Sequence, residues 1–168
     1  MNKIFVEKNK IYQIDLSAAI NAFDDLHEKY KSISNLTSDV DFIAETDDEI
    51  LLIEYKNTDV KNANPDALKE KMTKFGEYCD SIAKKYYWSA FYILACRKEK
   101  PINFIFIIEA SFLDRVMKKR MLASIKKRLP YELQELPEIS VNLINDFKIL
   151  SIKEWNEQYS MFPLTAVI

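Results

Sequence analysis

The alternation of apolar and polar positions predicts strands at the start of the chain and a helix after them. Two short apolar runs, residues 4–6 and 11–14, flank a polar segment, which is typical of a β-hairpin. Apolar residues recur at steps of three and four over residues 16–30, which predicts an amphipathic helix. Two further apolar runs, residues 40–45 and 49–56, are separated by a short polar turn and predict two adjacent strands.

The rest of the chain alternates between helical patterns and apolar runs. Asn64 and Pro65 form a helix-start signal, because asparagine caps a first turn well and proline suits its first position. The remaining predicted elements are a helix over residues 65–85, strands over 88–96 and 102–108, a basic helix over 112–129, a strand over 147–152 and a short helix from Lys153. This order predicts one domain, residues 1–168, of the α/β (α+β) class, in which helices flank a mixed β-sheet.

The two adjacent strands carry the residues with the clearest candidate chemistry. Asp41 opens the first strand, and Glu54 and Lys56 lie near the end of the second. Residues two apart in a strand project to the same face, so Glu54 and Lys56 point together and Tyr55 points away. A tight turn would bring Asp41 beside Glu54, where two carboxylates offer hard oxygen ligands to Mg²⁺ or Mn²⁺. Lys56 would orient the attacking water, and the main-chain carbonyl of Tyr55 is a candidate additional ligand.

Asp41, the thirteen-residue step to Glu54 and the sequence Glu54-Tyr55-Lys56 resemble the PD-(D/E)XK, or restriction-endonuclease-like, nuclease superfamily. The resemblance covers roughly residues 15–110, and Val40 stands where the family name has a proline. It implies a restriction-endonuclease-like core and metal-dependent hydrolysis of nucleic-acid phosphodiester bonds, with DNA as the favoured substrate. Many members add a carboxylate from the helix before the hairpin, which implies a catalytic role for Glu28, with Asp24 as the alternative.

The charge distribution indicates where a nucleic acid would bind. The formal net charge is −2, but residues 57–130 carry an excess of basic side chains. Lysine and arginine on helix surfaces bind phosphates without regard to base sequence. The candidate phosphate contacts are Lys71 and Lys74 on the second predicted helix, with Lys69 beside them, and Arg115, Lys118, Lys119 and Lys126 on the basic helix. The single glycine, Gly76, excludes the glycine-rich phosphate loops that need several glycines at fixed spacing.

The remaining features concern compartment and assembly. Cys79 and Cys96 lie far apart within apolar patterns, which favours free thiols and a reducing, cytoplasmic location. No apolar run reaches the length of about 20 residues that a membrane-spanning helix needs, so we expect no membrane partner. The apolar segment 161–168 is expected to cover either the domain itself or a partner subunit, which leaves a homodimer open.

Two alternatives to a nuclease remain at this stage. The first is a non-catalytic domain of the restriction-endonuclease-like fold that binds protein or nucleic acid. The mild net negative charge and the lack of a recognised DNA-reading motif favour it. The second is an unrelated α+β interaction protein in which the motif arises by chance.

Overall fold

Eight strands and five helices build the protein, in a computed structural model that describes residues 3–61 and 63–167. The strands are β1 (Ile4–Val6), β2 (Tyr12–Asp15), β3 (Asn21–Phe23), β4 (Phe42–Glu45), β5 (Ile50–Asn57), β6 (Ile102–Glu109), β7 (Asp146–Leu150) and β8 (Leu164–Ala166). The helices are α1 (Leu26–Lys29), α2 (Pro65–Thr73), α3 (Phe75–Ala95), α4 (Arg115–Lys126) and α5 (Ile152–Gln158). The predicted α/β class, with a mixed sheet flanked by helices, is therefore confirmed.

The central sheet has five strands in the order β3-β4-β5-β6-β7. The strands β3, β4 and β5 pair antiparallel, whereas β5, β6 and β7 run parallel to one another. The four residues from Ile50 to Ile53 are fully buried, as are those from Phe104 to Ile108. These nearly continuous apolar runs fit strands that are covered on both faces, as the sequence predicted.

The two faces of the central sheet are covered by different elements. The helices α3 and α4 cover one face, where their apolar side chains, such as Tyr86 of α3, form one core with sheet residues such as Phe104 and Phe147. The small sheet β1-β2-β8 and α5 cover the other face, around the fully buried Trp155. The predicted N-terminal hairpin is confirmed, since β1 pairs antiparallel with β2.

The start of α2 follows the predicted capping signal. The side chain of Asn64 accepts hydrogen bonds from the backbone N–H groups of Asp66 and Ala67, and Pro65 occupies the first turn. A cap of this kind contributes about 1 kcal/mol to helix stability. The helix is interrupted at Lys74, where φ is −106° and ψ is 60°, and α3 begins directly afterwards.

Two predicted elements are wrong. Residues 16–30 do not form one helix, because residues 21–23 pair as β3 with β4 and only a four-residue helix, α1, follows. Residues 88–96 do not form a strand but continue α3 to Ala95. In both segments local apolar spacing fits helix and strand, and the neighbouring elements decide between them.

The C-terminal apolar segment packs on its own domain. The strand β8 pairs antiparallel with β2, and Phe162 and Leu164 are buried in the core beside Trp155. Ile168, the last residue of the predicted segment, lies outside the described residues. Within the described part of the chain, no helix combines the length and the apolar character needed to cross a membrane.

Candidate functional site

The register of the β4–β5 hairpin places Asp41 opposite Glu54. Phe42 pairs with Ile53 and Ile43 pairs with Leu52, so the next position outward joins Asp41 to Glu54. Ile43 and Leu52 face the core beneath α3. Because side chains alternate along a strand, Asp41, Glu54 and Lys56 project to this same face. The predicted convergence of the two carboxylates is confirmed by this register, and the charge of Asp41 acts on Glu54.

Asp41 is fixed by the backbone of the neighbouring strand. Its Oδ2 accepts a hydrogen bond of 2.8 Å from the backbone N–H of Tyr55, at the point where the ladder between β4 and β5 ends. The Asp41 carboxylate therefore acts as the hydrogen-bond acceptor for this N–H, which has no backbone partner on β4. The N–H and C=O groups of one residue leave a strand on the same edge, so the Tyr55 carbonyl also points towards Asp41. The Tyr55 ring packs in the opposite core, as predicted.

Glu54 is a deeply buried carboxylate of the site, and its pKa is strongly perturbed. Its side chain is only 8% exposed, and Lys85 Nζ lies 2.9 Å from its Oε2. Burial raises the pKa of Glu54 well above its ordinary value, the facing charge of Asp41 raises it further, and Lys85 offsets part of this. Burial also raises the pKa of Asp41, partly offset by Lys85 and by the Tyr55 N–H.

Lys85 is a site residue that the sequence analysis missed. It projects from α3, and its ammonium group donates a 2.9 Å hydrogen bond to the backbone carbonyl of Asp39 as well as pairing with Glu54. Burial alone would lower the pKa of Lys85, but the carboxylates of Glu54 and Asp41 outweigh this and raise it. Lys85 follows the buried residues Ile82 and Tyr78 by three and seven positions. This helical spacing was the available signal that the lysine points inward.

A cavity of about 410 Å³ gives access to the carboxylate pair. Its lining includes Asp41, Glu54, Tyr55, Lys56, Asn57 and Asp24, and it is closed on one side by the turn between β1 and β2, residues 6–9. Lys56 is exposed at this cavity. The predicted triad of Asp41, Glu54 and Lys56 therefore lines one solvent-accessible space.

The turn that forms the cavity wall is held by a buried carboxylate. Glu7 is 7% exposed, and its side chain accepts hydrogen bonds from the backbone N–H groups of Asn9, Ile11 and Tyr12, at 2.6, 2.8 and 3.2 Å. These bonds fix the turn and direct Lys8 and Asn9 towards the cavity. Glu7 is thus a structural carboxylate, because its oxygens are already used by the backbone.

The structure does not bring Glu28 to the cavity. Glu28 lies on the short helix α1, its side chain is 66% exposed, and it pairs with Lys31 at 3.5 Å. The expectation of Glu28 depended on the helix over residues 16–30, which does not form. Asp24, the alternative carboxylate, follows β3 directly and lines the cavity, because β3 pairs with the strand that follows Asp41.

The predicted phosphate contacts fall into two groups. Arg115, Lys118 and Lys119 line a second cavity of about 560 Å³ between α4, β7 and α5. The other three predicted contacts, Lys71, Lys74 and Lys126, line neither cavity. Lys71 is exposed on α2, Lys74 pairs with Glu77 at 3.5 Å, and Lys126 pairs with Asp146 at 3.2 Å.

The donor set at the β4–β5 hairpin fits a hard divalent cation with few protein ligands. Asp41 and Glu54 supply two carboxylates from facing strand positions, and burial raises the pKa of both. Mg²⁺ characteristically takes one or two carboxylates and keeps several waters. Residues 3–61 and 63–167 contain no group of three or more histidine, cysteine, aspartate or glutamate side chains arranged to hold a metal ion. A site of the zinc type is therefore not formed by these residues.

Comparison with protein-family models, with curated proteins and with solved structures finds no match to this chain. The chemistry of the hairpin site must therefore be inferred from the arrangement of its own residues.

Proposed function

We propose that this protein is a Mg²⁺- or Mn²⁺-dependent nuclease that hydrolyses phosphodiester bonds of nucleic acid, with DNA as the first substrate to test. The observation that carries the proposal is the pairing of Asp41 with Glu54 across the hairpin, with Lys56 at the same cavity. The charge of Asp41 raises the pKa of Glu54, so the facing pair carries an electrostatic cost that a bound cation would offset. This arrangement supports the resemblance to the PD-(D/E)XK superfamily.

Each residue of the site has a role in this proposal. Asp41, Glu54 and the Tyr55 carbonyl would hold the cation, which supplies an activated water and stabilises charge on the scissile phosphate. Lys56 would orient the attacking water and offset negative charge as it develops on the phosphate. Asp24 replaces Glu28 as the candidate supporting carboxylate, because it lines the cavity. A reducing, cytoplasmic location is part of the proposal and agrees with the free thiols of Cys79 and Cys96.

A non-catalytic binding domain is the second candidate, and one contact favours it. The ammonium group of Lys85 already lies 2.9 Å from Glu54, so part of the negative charge that would attract a metal is neutralised. In such a domain the Asp41–Glu54–Lys85 cluster would be structural. The two candidates differ in whether a divalent cation binds at Asp41 and Glu54.

The test combines metal binding with cleavage. We expect Mn²⁺ titration by calorimetry to show one site in the wild type and none in an Asp41→Asn, Glu54→Gln double variant. Asp47→Asn is the matched control, because Asp47 is exposed on the turn at the opposite end of the hairpin. Single-stranded, duplex and branched DNA and RNA are then incubated with the wild type and Lys56→Met in Mg²⁺ or Mn²⁺. Cleavage by the wild type and Asp47→Asn, but not by Lys56→Met, supports the proposal. Equal inactivity on every substrate overturns it in favour of the binding domain.

A further inference from the structure

The second cavity lies at the same edge of the central sheet as the candidate site. The strands β5, β6 and β7 are parallel, so their carboxyl ends meet at one edge. The register pairs Lys56 with Ile108 and Ile107 with Leu150, which places Ser151 level with Lys56. Two strand spacings separate them, or about 10 Å. Lys56 lines the first cavity and Ser151 lines the second.

The second cavity carries positive charge that the protein leaves unpaired. In the described part of the chain, Arg115, Lys118 and Lys119 make no ion pair within 4.0 Å. At the other end of α4, Lys126 pairs with Asp146, and Arg128, just beyond the helix, pairs with Asp80. Lys127 is the basic residue there that makes no ion pair within 4.0 Å among the described residues. The unpaired charge is thus concentrated on the first turns of α4, beside the cavity.

The two acidic residues of this cavity are occupied by other groups. Glu154 forms a capping box with Ser151 at the start of α5, and its carboxylate accepts a 2.7 Å hydrogen bond from the Ser151 N–H. Glu157 lies 3.9 Å from Lys153 on the same helix. Neither carboxylate lies within 4.0 Å of a basic group of α4, although the charge of Lys118 helps to lower the pKa of Glu154. With four basic and two acidic side chains in its lining, the cavity presents a net cationic surface to an incoming anion.

We infer that the second cavity binds the phosphodiester backbone of a nucleic-acid strand whose cleaved phosphate lies at the Asp41–Glu54–Lys56 site. Nucleic acid suits it because each strand of B-form DNA carries one negative charge about every 3.4 Å along the helix axis, so about three nucleotides correspond to the roughly 10 Å between Lys56 and Ser151. Arg115, Lys118 and Lys119 bind phosphates and supply affinity without base specificity. The spacing of three nucleotides rests on the proposed nuclease function, whereas the backbone contact does not require cleavage.

Binding is tested without metal, so that no cleavage can occur. Fluorescence anisotropy in EDTA measures the affinity of labelled single-stranded and duplex DNA for the wild type and for a triple variant, Arg115→Gln, Lys118→Gln, Lys119→Gln. The matched control is Arg97→Gln, Lys84→Gln, Lys127→Gln, which removes the same charges from residues that line neither cavity. All six positions lie on the surface, and thermal unfolding verifies that both variants fold.

The cavity variant is expected to bind DNA at least about tenfold more weakly at low salt. Its slope of log K against log salt should fall by about 2 to 3, since each lost phosphate contact removes about 0.9 from the slope. The control should change both quantities much less. Equal losses in the two triple variants, or no loss in the cavity variant, would overturn the inference. Poly-glutamate that displaces DNA from the wild type as effectively as unlabelled DNA would also overturn it, and would indicate an acidic protein partner.

Cleavage separates this inference from the proposed function. If the wild type cleaves DNA and the cavity variant cleaves and binds as well as the wild type, the second site is refuted while the nuclease proposal stands. If no form of the protein cleaves but the cavity variant alone loses DNA binding, the nuclease proposal fails and the backbone contact is supported. In an active enzyme, substrates that end fewer than about three nucleotides from the cleaved bond should be insensitive to the triple substitution. Equal sensitivity of short and long substrates would refute the spacing.

Discussion

Removing the charge of Lys85 is the sharpest test of how the carboxylate pair is stabilised. In Lys85→Met the side chain keeps its length, but Glu54 loses the ammonium group 2.9 Å away and the Asp39 carbonyl loses its donor. Removal of one partner from a buried ion pair costs about 3–5 kcal/mol. The Lys85 side chain is 26% exposed and Glu54 can take up a proton, so we expect a smaller loss of about 2–3 kcal/mol at pH 7.

The loss should be measurable by both heat and denaturant. A destabilisation of this size lowers the melting temperature by about 5–10 °C in a chain of 168 residues. Urea unfolding followed by circular dichroism gives the free energy of unfolding directly. The control is Lys84→Met, an exposed neighbour on α3, which should change the free energy of unfolding by less than about 0.5 kcal/mol.

The pH dependence of this effect has a defined sign. The pKa of Lys85 lies above its ordinary value of 10.5, so its stabilising charge is present at neutral pH and disappears only as the pH rises through that raised value. The pKa of Glu54 is raised above 4.5, so lowering the pH towards 4.5 protonates Glu54 and removes the negative charge that pairs with Lys85. The difference between the wild type and Lys85→Met should therefore shrink as the pH falls.

A double-mutant cycle decides whether Lys85 acts through Glu54. In the Glu54→Gln background, Lys85→Met should cost no more than about 1 kcal/mol, which gives a coupling of about 1–2 kcal/mol. The reasoning is refuted if Lys85→Met is no more destabilising than Lys84→Met. It is equally refuted if the cost of Lys85→Met is the same with glutamate and with glutamine at position 54.

Two further predictions concern carboxylates with opposite shifts. Because the folded protein raises the pKa of Glu54, its stability decreases as the pH rises from 4.5 through that raised value. Glu54→Gln should remove this decrease, which urea unfolding in EDTA at a series of pH values measures. A decrease of the same size in Glu54→Gln would contradict this. Glu45 shows the reverse, because a hydrogen bond from Lys98 lowers its pKa despite its partial burial. The ionised Glu45 therefore stabilises the folded protein fully at pH 7, and this contribution is lost as the pH falls below 4.5. Glu45→Gln should therefore cost up to about 1 kcal/mol at pH 7 and nothing near pH 3.5, whereas a cost that is constant with pH would point to packing instead.

The helix and strand assignments differ in how far local pattern determined them. The strands β5 and β6 are long, almost wholly apolar runs bounded by polar turns, and both were predicted within a residue or two. The helix predicted over residues 16–30 does not form, because Leu16 and Ala19 are buried against the small sheet and Leu26 against α3, at spacings that a single helix would also produce. The pairing of β3 with β4 joins distant residues, and no local periodicity reports such a pairing.

The end of α3 shows a different limit. Residues 86–96 contain apolar side chains at nearly every position, which fits a buried strand. The structure buries Tyr86, Ala90 and Ile93 and leaves Tyr87 and Phe91 exposed, so the helical spacing of three and four simply continues. Exposed aromatic residues concealed this spacing, because composition alone does not tell which apolar side chains are covered.

The sequence by itself determined the core of the candidate site. The two-residue period of a strand and the short turn after β4 place Asp41, Glu54 and Lys56 on one face, since a tight hairpin fixes its own register. Only the tertiary structure decided what surrounds them. Lys85 reaches Glu54 from a helix 31 positions further along the chain, and the Glu7-held turn closes the cavity from the second sheet. These contacts depend on how helix and sheets pack against one another, so no local spacing could specify them.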